Sequence, residues 1–429
     1  MQIKVKPTAL ADALTKIAPF TTKRIILPVL QAVKVEAGGD TLTLSATDMD
    51  SAIQYEVSGV ETLREGVAVI PARPFQQLLR SLDDFDEVEL DAPTPDGGYG
   101  KATLKFPNGM YRLDAYDPTD YPPIDFKVEG DGVSVVVIGS DLAQALKFAS
   151  AFAGAQSYWQ ATDVVWLTLR EGELWVAGTD THKLGLVRLP ADYPDSNLNP
   201  QIYLPAASAT ALASLCEKEP NILLRLTDQA VIVEGGRWRV RLNGREASHL
   251  NFDHVLSKPT ERTTTLMLSS VLPVLQFLQR VATFDRHRSS RSTNPAAGMH
   301  IKVVATENGL DIEAHAKENW GGERQLVGRT QVGLEDFKGE PATVWFSRRL
   351  LAETLQAFKT FKVQLGLETP TPTDLKPLIV TALETDPLTI MAYLMPLRFA
   401  LTETADTDSE DFENNGDGWD DADDANLNV

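Results

Sequence analysis

The feature that most constrains this chain is a threefold internal repetition. A strand running into a helix start reads Val69-Ile70-Pro71-Ala72-Arg73-Pro74-Phe75. It returns as Tyr203-Leu204-Pro205-Ala206-Ala207 and again as Val344-Trp345-Phe346-Ser347-Arg348-Arg349. An amphipathic helix pattern precedes each copy, over 7–18, 140–153 and 268–282. The copies are about 130 residues apart, a spacing of domains and not of a solenoid. Three similar domains on one chain imply pseudo-symmetry, and pseudo-symmetry points to a function exercised through shape.

Each first helix shows one apolar stripe at helical spacing: Leu10, Leu14 and Ile17, then Leu142, Leu146 and Ala149, then Val271, Leu275 and Leu278. The second helices repeat the pattern with Phe75, Leu78, Leu79 and Leu82, and with Leu351, Leu355 and Phe358. Alternating segments at 30–36, 41–47, 101–106, 174–177, 230–234, 237–242, 310–314 and 388–394 read as strands. Helices with a single apolar stripe lie on a sheet and leave their other face to solvent or a partner. The class is therefore α+β, with two helices and antiparallel sheets per domain. Pro, Gly and charge cluster at 121–132 and 256–262, which places boundaries at 1–127, 128–257 and 258–400, followed by an acidic tail over 401–429.

The 429 residues suffice for three domains, each with its own core. No apolar run approaches the roughly 18 residues that span a bilayer. The amino terminus alternates like a strand and lacks the apolar block of a signal peptide. One cysteine, Cys216, fits a reducing cytoplasm, and its place after Leu212 and Leu215 reads as buried packing. The net charge of −20 argues against nucleic acid until its distribution is counted. From 402 to 429 there are eleven Asp or Glu and no Lys or Arg, so the tail holds more than half of the excess. Such a segment has too little apolar content to fold alone. Its Asp spacing lacks the register of a calcium loop, and Phe412 and Trp419 are its candidate partner contacts.

Motifs for chemistry are missing. There is no phosphate-binding Gly-x-x-x-x-Gly-Lys-Ser/Thr, no Gly-x-Gly-x-x-Gly, no His-Glu-x-x-His, no Cys-x-x-Cys and no Gly-x-Ser-x-Gly. The six histidines are scattered without ligand spacing, so no metal or other cofactor is expected. Positive charge is more telling. The loop after the first helix holds Lys23 and Arg24 in the first copy, and Arg286, Arg288 and Arg291 in the third. The second copy has Gln156, Tyr158 and Trp159 there, groups suited to hydrogen bonding and stacking along a phosphate chain. The helices add Arg73, Arg80, Arg348 and Arg349.

An ordered set of segments carries a family resemblance: Leu27-Pro28-Val29-Leu30, 42–50 (Leu-Thr-Leu-Ser-Ala-Thr-Asp-Met-Asp), Ile70-Pro71-Ala72-Arg73, 176–184 (Val-Ala-Gly-Thr-Asp-Thr-His-Lys-Leu) and 393–399 (Tyr-Leu-Met-Pro-Leu-Arg-Phe). Over residues 1 to about 399 the chain resembles the bacterial DNA polymerase III beta subunit, the sliding clamp. The resemblance implies three clamp domains forming half of a six-domain ring that encircles duplex DNA. It implies a non-catalytic processivity factor, a homodimer, opened by an ATP-dependent clamp loader and shared by the replicative polymerase and repair proteins. It also implies a partner-peptide groove at Thr179, His182, Lys183, Leu184, Val255, Met395, Pro396, Leu397 and Arg398. In it, Thr181 and Leu250 replace the family's usual glycine and proline. The implied dimer contact joins the strand around Tyr111 and Leu113 to Thr283 and Phe284. The tail has no counterpart in the family pattern. The rival reading is a non-clamp, sheet-rich enzyme or carbohydrate-handling protein using exposed Trp and Asp residues.

Overall fold

One order of elements runs through the chain three times. The structure, a computed structural model, describes residues 1–21, 27–92, 99–127, 132–154, 162–193, 200–245, 256, 261–284, 298–317, 324–371 and 374–397. Among these residues the first repeat contains helices α1 (Pro7–Ile17) and α2 (Ala72–Arg80), the second α3 (Gly139–Phe152) and α4 (Ala206–Cys216), and the third α5 (Leu272–Val281) and α6 (Arg348–Gln356). Each repeat opens with a strand (Gln2–Val5, Val133–Ile138, Thr264–Leu268), follows its first helix with antiparallel strands, and closes with more strands after its second helix. No described helix is long and apolar enough to cross a membrane.

The stripes read from the sequence face inward. Leu10, Leu14, Ile17, Leu142, Leu146, Ala149, Val271, Leu275 and Leu278 are all at most 4% exposed. Cys216 is buried among them, and burial pushes its thiol well above the usual range, so it remains a protonated packing group. Two boundaries differ from expectation. The third helix begins at Leu272 and not at 268, because Leu268 ends the strand Thr264–Leu268 and Pro273 is tolerated only in the first turn. Leu30 lies in a 3₁₀ turn started by Pro28, so the strand begins at Ala32.

What joins the repeats is strand pairing. Ser51–Val57 of the first repeat pairs with the closing strand of the second, Trp238–Asn243, setting Tyr55 opposite Trp238 and Ile53 opposite Val240. In the same way Lys183–Pro190 of the second repeat pairs with the closing strand of the third, Thr389–Leu394, setting Leu184 opposite Tyr393 and Leu186 opposite Met391. A 13-stranded sheet therefore runs across the first two repeats and a nine-stranded sheet across the second and third, while four strands of the third form a separate sheet.

The same turn feeds both joining strands. Thr47 Oγ1 donates to the Ser51 carbonyl at 2.7 Å, and Thr179 Oγ1 to the Lys183 carbonyl at 2.8 Å. Asp48 accepts the Ser51 N–H at 2.7 Å, and Asp180 the Lys183 N–H at 2.8 Å. The third turn residue is left-handed in each case: Met49 at φ 78° and Thr181 at φ 75°. For a β-branched residue that conformation is strained. A glycine would adopt the same backbone without that cost. Behind the turn, Gly178 and Gly185 stand opposite each other and let α3 onto the sheet. A Cβ on Gly178 would lie 2.1 Å from the Ala149 carbonyl oxygen, and one on Gly185 would lie 2.3 Å from the Phe152 ring.

Two substitutions test this joint. Thr181→Gly relieves the left-handed strain and is expected to raise stability by about 0.5–1 kcal/mol, after allowing for glycine's greater freedom when unfolded; thermal and denaturant unfolding read the difference. Asp180→Ala removes the carboxylate 3.2 Å from the Lys183 ammonium, whose side chain is 4% exposed. The expected loss is about 3–5 kcal/mol, the cost of an unanswered buried charge. A loss below about 1 kcal/mol would show that Glu353, 3.7 Å from the same ammonium, suffices.

Candidate nucleic-acid face and partner groove

The helices pack in a continuous row in the order α2, α1, α4, α3, α6, α5 on one side of the sheets. Across the second joint the row is held by Phe148 of α3, edge-on to Phe358 just after α6 at 5.3 Å. Charge is unevenly divided. Within the six helices there are seven Lys or Arg against three Asp or Glu, in a chain of net charge −20. The helix row is thus the basic side of an acidic protein. Arg73, Arg80 and Arg349 are exposed on it and Arg348 is half-buried. Arg80 also donates to Thr15 Oγ1 at 3.1 Å, which fixes α2 against α1. Lys23, Arg24, Gln156, Tyr158, Trp159, Arg286, Arg288 and Arg291 lie outside the described residues.

The groove residues converge on the second joint. The Met395 N–H donates to the His182 carbonyl at 3.0 Å, and the Leu397 N–H to the Trp345 carbonyl at 2.9 Å. Leu184 pairs with Tyr393. Met395 is 37% exposed, while Pro396 and Leu397 are buried. Thr179 and Lys183 are turned to structural work. The Thr179 hydroxyl closes the turn, and the Lys183 ammonium points at Asp180 and at the carbonyls ending α3. Val255 and Arg398 lie outside the described residues.

Residues not singled out in the sequence complete the patch. On the sheet face turned away from α3, Leu186, Met391, Trp166 and Trp175 join Leu184 and Tyr393 in an apolar cluster separate from the main core, each at most 8% exposed. The signal for it was the strand Thr389–Leu394, apolar on both faces instead of alternating. The corresponding face of the first joint is polar: Arg239 Nε donates to Gln54 Oε1 at 2.7 Å, and Arg237 to the Ser58 hydroxyl. One architecture, used twice, is apolar on its outer side at one joint only.

The dimer candidates lie in the first and third repeats. Gly109–Tyr116 pairs along one edge with Tyr99–Phe106, and its other edge has only the Val69–Tyr116 pair among the described residues. On this strand Met110 is 55% and Tyr111 47% exposed, and Leu113 is half-buried. In the third repeat Arg324–Val332 is the edge of the four-stranded sheet, with Leu326 53% exposed. Thr283 and Phe284 follow α5, both exposed.

Comparison with known proteins agrees with this geometry. Residues 1–125 match the model of the DNA polymerase III beta subunit, N-terminal domain. The beta sliding clamp of Caulobacter vibrioides is 23% identical over 369 residues, covering 82% of this chain and 89% of the relative. That of Bacillus subtilis is 19% identical over 383 residues, covering 85% and 93%. Among solved structures, the beta subunit from DNA polymerase of Streptococcus pyogenes superposes with a TM-score of 0.76 at 15% identity, over 93% of this chain and 100% of that one. The sliding clamp of Pseudomonas aeruginosa, bound to griselimycin, gives 0.76 at 20% identity, over 93% and 99%. The chain has the sliding-clamp fold, and the resemblance to the bacterial DNA polymerase III beta subunit read from its sequence is borne out.

Proposed function

We propose that this chain is a non-catalytic sliding clamp, two copies of which close into a ring around duplex DNA and tether the replicative polymerase. The observation that carries the reading is the joining rule. In each joint, the strand that follows the first long hairpin of one repeat pairs with the closing strand of the next. Applied to the whole chain, the rule uses four of the six available strands and leaves two. These are Gly109–Tyr116, the closing strand of the first repeat, and Arg324–Val332, the third repeat's counterpart of Ser51–Val57 and Lys183–Pro190. They are complementary, and no strand pairs along the outer edge of Arg324–Val332 among the described residues. Pairing them between two copies continues the sheet through six repeats and closes the ring. Tyr111, Leu113, Thr283 and Phe284 then fall at or beside that contact, with Met110 and Leu326.

The domain divisions that accompany this reading are 1–127, 128–257 and 258–400. The helix row lines the hole. Arg73, Arg80, Arg348 and Arg349, with the loops at 23–24, 156–159 and 286–291, touch phosphate without reading sequence. Encirclement holds the DNA topologically, so weak and salt-sensitive contacts suffice and permit sliding. The acidic remainder of the surface repels duplex from the outside. A closed ring cannot thread itself onto DNA, and the chain has no nucleotide-binding loop, so an ATP-driven loader opens it. The apolar patch beside Met395 receives a short partner peptide ending in hydrophobic residues. Burying such an anchor yields about 25 cal/mol per Å².

Two expected outcomes follow. In solution the mass is twice 47.0 kDa, and the loaded protein stays on circular DNA but slides off linear DNA. Leu326→Lys, on the free edge, halves the mass and abolishes retention while the far-ultraviolet circular dichroism is unchanged. A dimer that survives this substitution would place the contact elsewhere. Arg73→Glu, Arg80→Glu and Arg349→Glu together leave the dimer intact. They weaken DNA binding uniformly across sequences and flatten the log K against log [salt] slope by about 2–3.

A further inference from the structure

We propose that the acidic tail docks by its aromatic residues in the partner groove of its own ring and acts as a built-in competitor; this rests on the groove reading above. Three observations lead there. The described chain ends at the groove. Met395 and Leu397 are pinned by backbone hydrogen bonds to His182 and Trp345, so whatever follows starts at the rim. The tail is an acidic peptide interrupted by large apolar residues, Phe412 and Trp419, the composition of a segment that binds through anchors without folding alone. The surface beside the exit is apolar: Met395 is 37% exposed, over Leu184, Met391 and Tyr393, which are each at most 8% exposed.

Reach is not limiting. Phe412 and Trp419 lie 15 and 22 residues beyond Leu397, and a flexible chain of that length spans roughly 20–28 Å. The tether gives the anchors an effective concentration on the order of millimolar. Charge helps modestly. Arg170 lies over the Trp166 and Trp175 rings at 5.7 and 5.4 Å, and Arg188 over Trp175 at 5.4 Å. Glu173, 3.6 Å from Arg188, offsets that charge, so the seat is held by apolar contact and not by net charge. The basic helix row is the competing seat for an acidic segment. Its exposed face offers mainly cations and polar groups, with Leu272 the one large apolar side chain exposed among the described helix residues, where the tail needs apolar ones.

The consequence is a threshold. A partner peptide must displace the tail, so only partners with strong anchors, or with a second contact, engage the ring. The test uses a fluorescein-labelled synthetic peptide ending in Leu-Phe, titrated by fluorescence polarisation against the full chain and against the full chain with Phe412→Ala and Trp419→Ala. The variant is expected to bind the probe about 3- to 10-fold more tightly. A synthetic peptide of residues 402–429 should displace the probe from the variant. Equal affinities on both chains overturn the proposal and leave the groove standing. Displacement of a labelled 402–429 peptide by duplex DNA, but not by the Leu-Phe peptide, overturns it in favour of the helix row. If the Leu-Phe peptide binds neither chain, or binds unaffected by Met395→Glu, the groove reading fails and this proposal with it.

Discussion

Pairing between a joining strand and the closing strand of the next repeat is the interaction on which the rest depends. It fixes the order of the repeats, because each contributes one edge of each kind. It fixes where the helices lie, because Gly178 and Gly185 hold α3 on one face of the joining sheet while Leu184 and Leu186 face the other way. The turn that launches the strand is built twice from the same threonine and aspartate bonds. A common hydrogen-bond scheme survives where little else in the two sequences is shared.

The same pairing separates two chemistries onto two faces. On the helix side the exposed groups are mostly long cations and amides, suited to a polyanion held loosely. On the other side the two joints diverge, one polar and one apolar. A hydrophobic seat therefore exists at only one of two otherwise equivalent places. A ring that bound partners at every joint would crowd them. In the ring proposed above, one apolar joint per chain would give two seats on opposite arcs.

Much of the fold was legible because helical periodicity survives divergence: Leu10, Leu14 and Ile17, and their counterparts, all proved buried. The misread start of α5 arose where an apolar strand and an apolar helix abut, since Leu268 satisfies both patterns and only the Ser-Ser-Val-Leu-Pro break divides them. The joints were not legible. Trp238 opposite Tyr55 is a pairing across 183 residues, and nothing local announces it. Nor was the orientation of Lys183. A lysine in a turn reads as solvent-facing, yet the joint folds its ammonium inward between Asp180, Glu353 and the end of α3. The groove positions were proposed from the family pattern, and those described gather at the second joint. The apolar strand faces that floor it would have been found from period-two reading, had runs apolar on both faces been treated as a signal.

The three joints of such a ring are equivalent in backbone pairing but not in strength. Those within the chain are reinforced: Phe148 packs on Phe358, Lys183 reaches across to Glu353, and Arg239 lies over Phe126 at 4.3 Å. They also cost no association entropy, because the partners share one chain. The proposed joint between chains would pay that cost, and it would cover Met110, Tyr111 and Leu326, which are exposed in the single chain. In the proposed ring an opener would meet the weakest seam at the junction of the first and third repeats. Opening there would break one strand pairing and leave both joints within the chain, and the apolar face of the second, intact. The partner seat can then stay formed while the ring is loaded, which separates the gripping of partners from the admission of DNA.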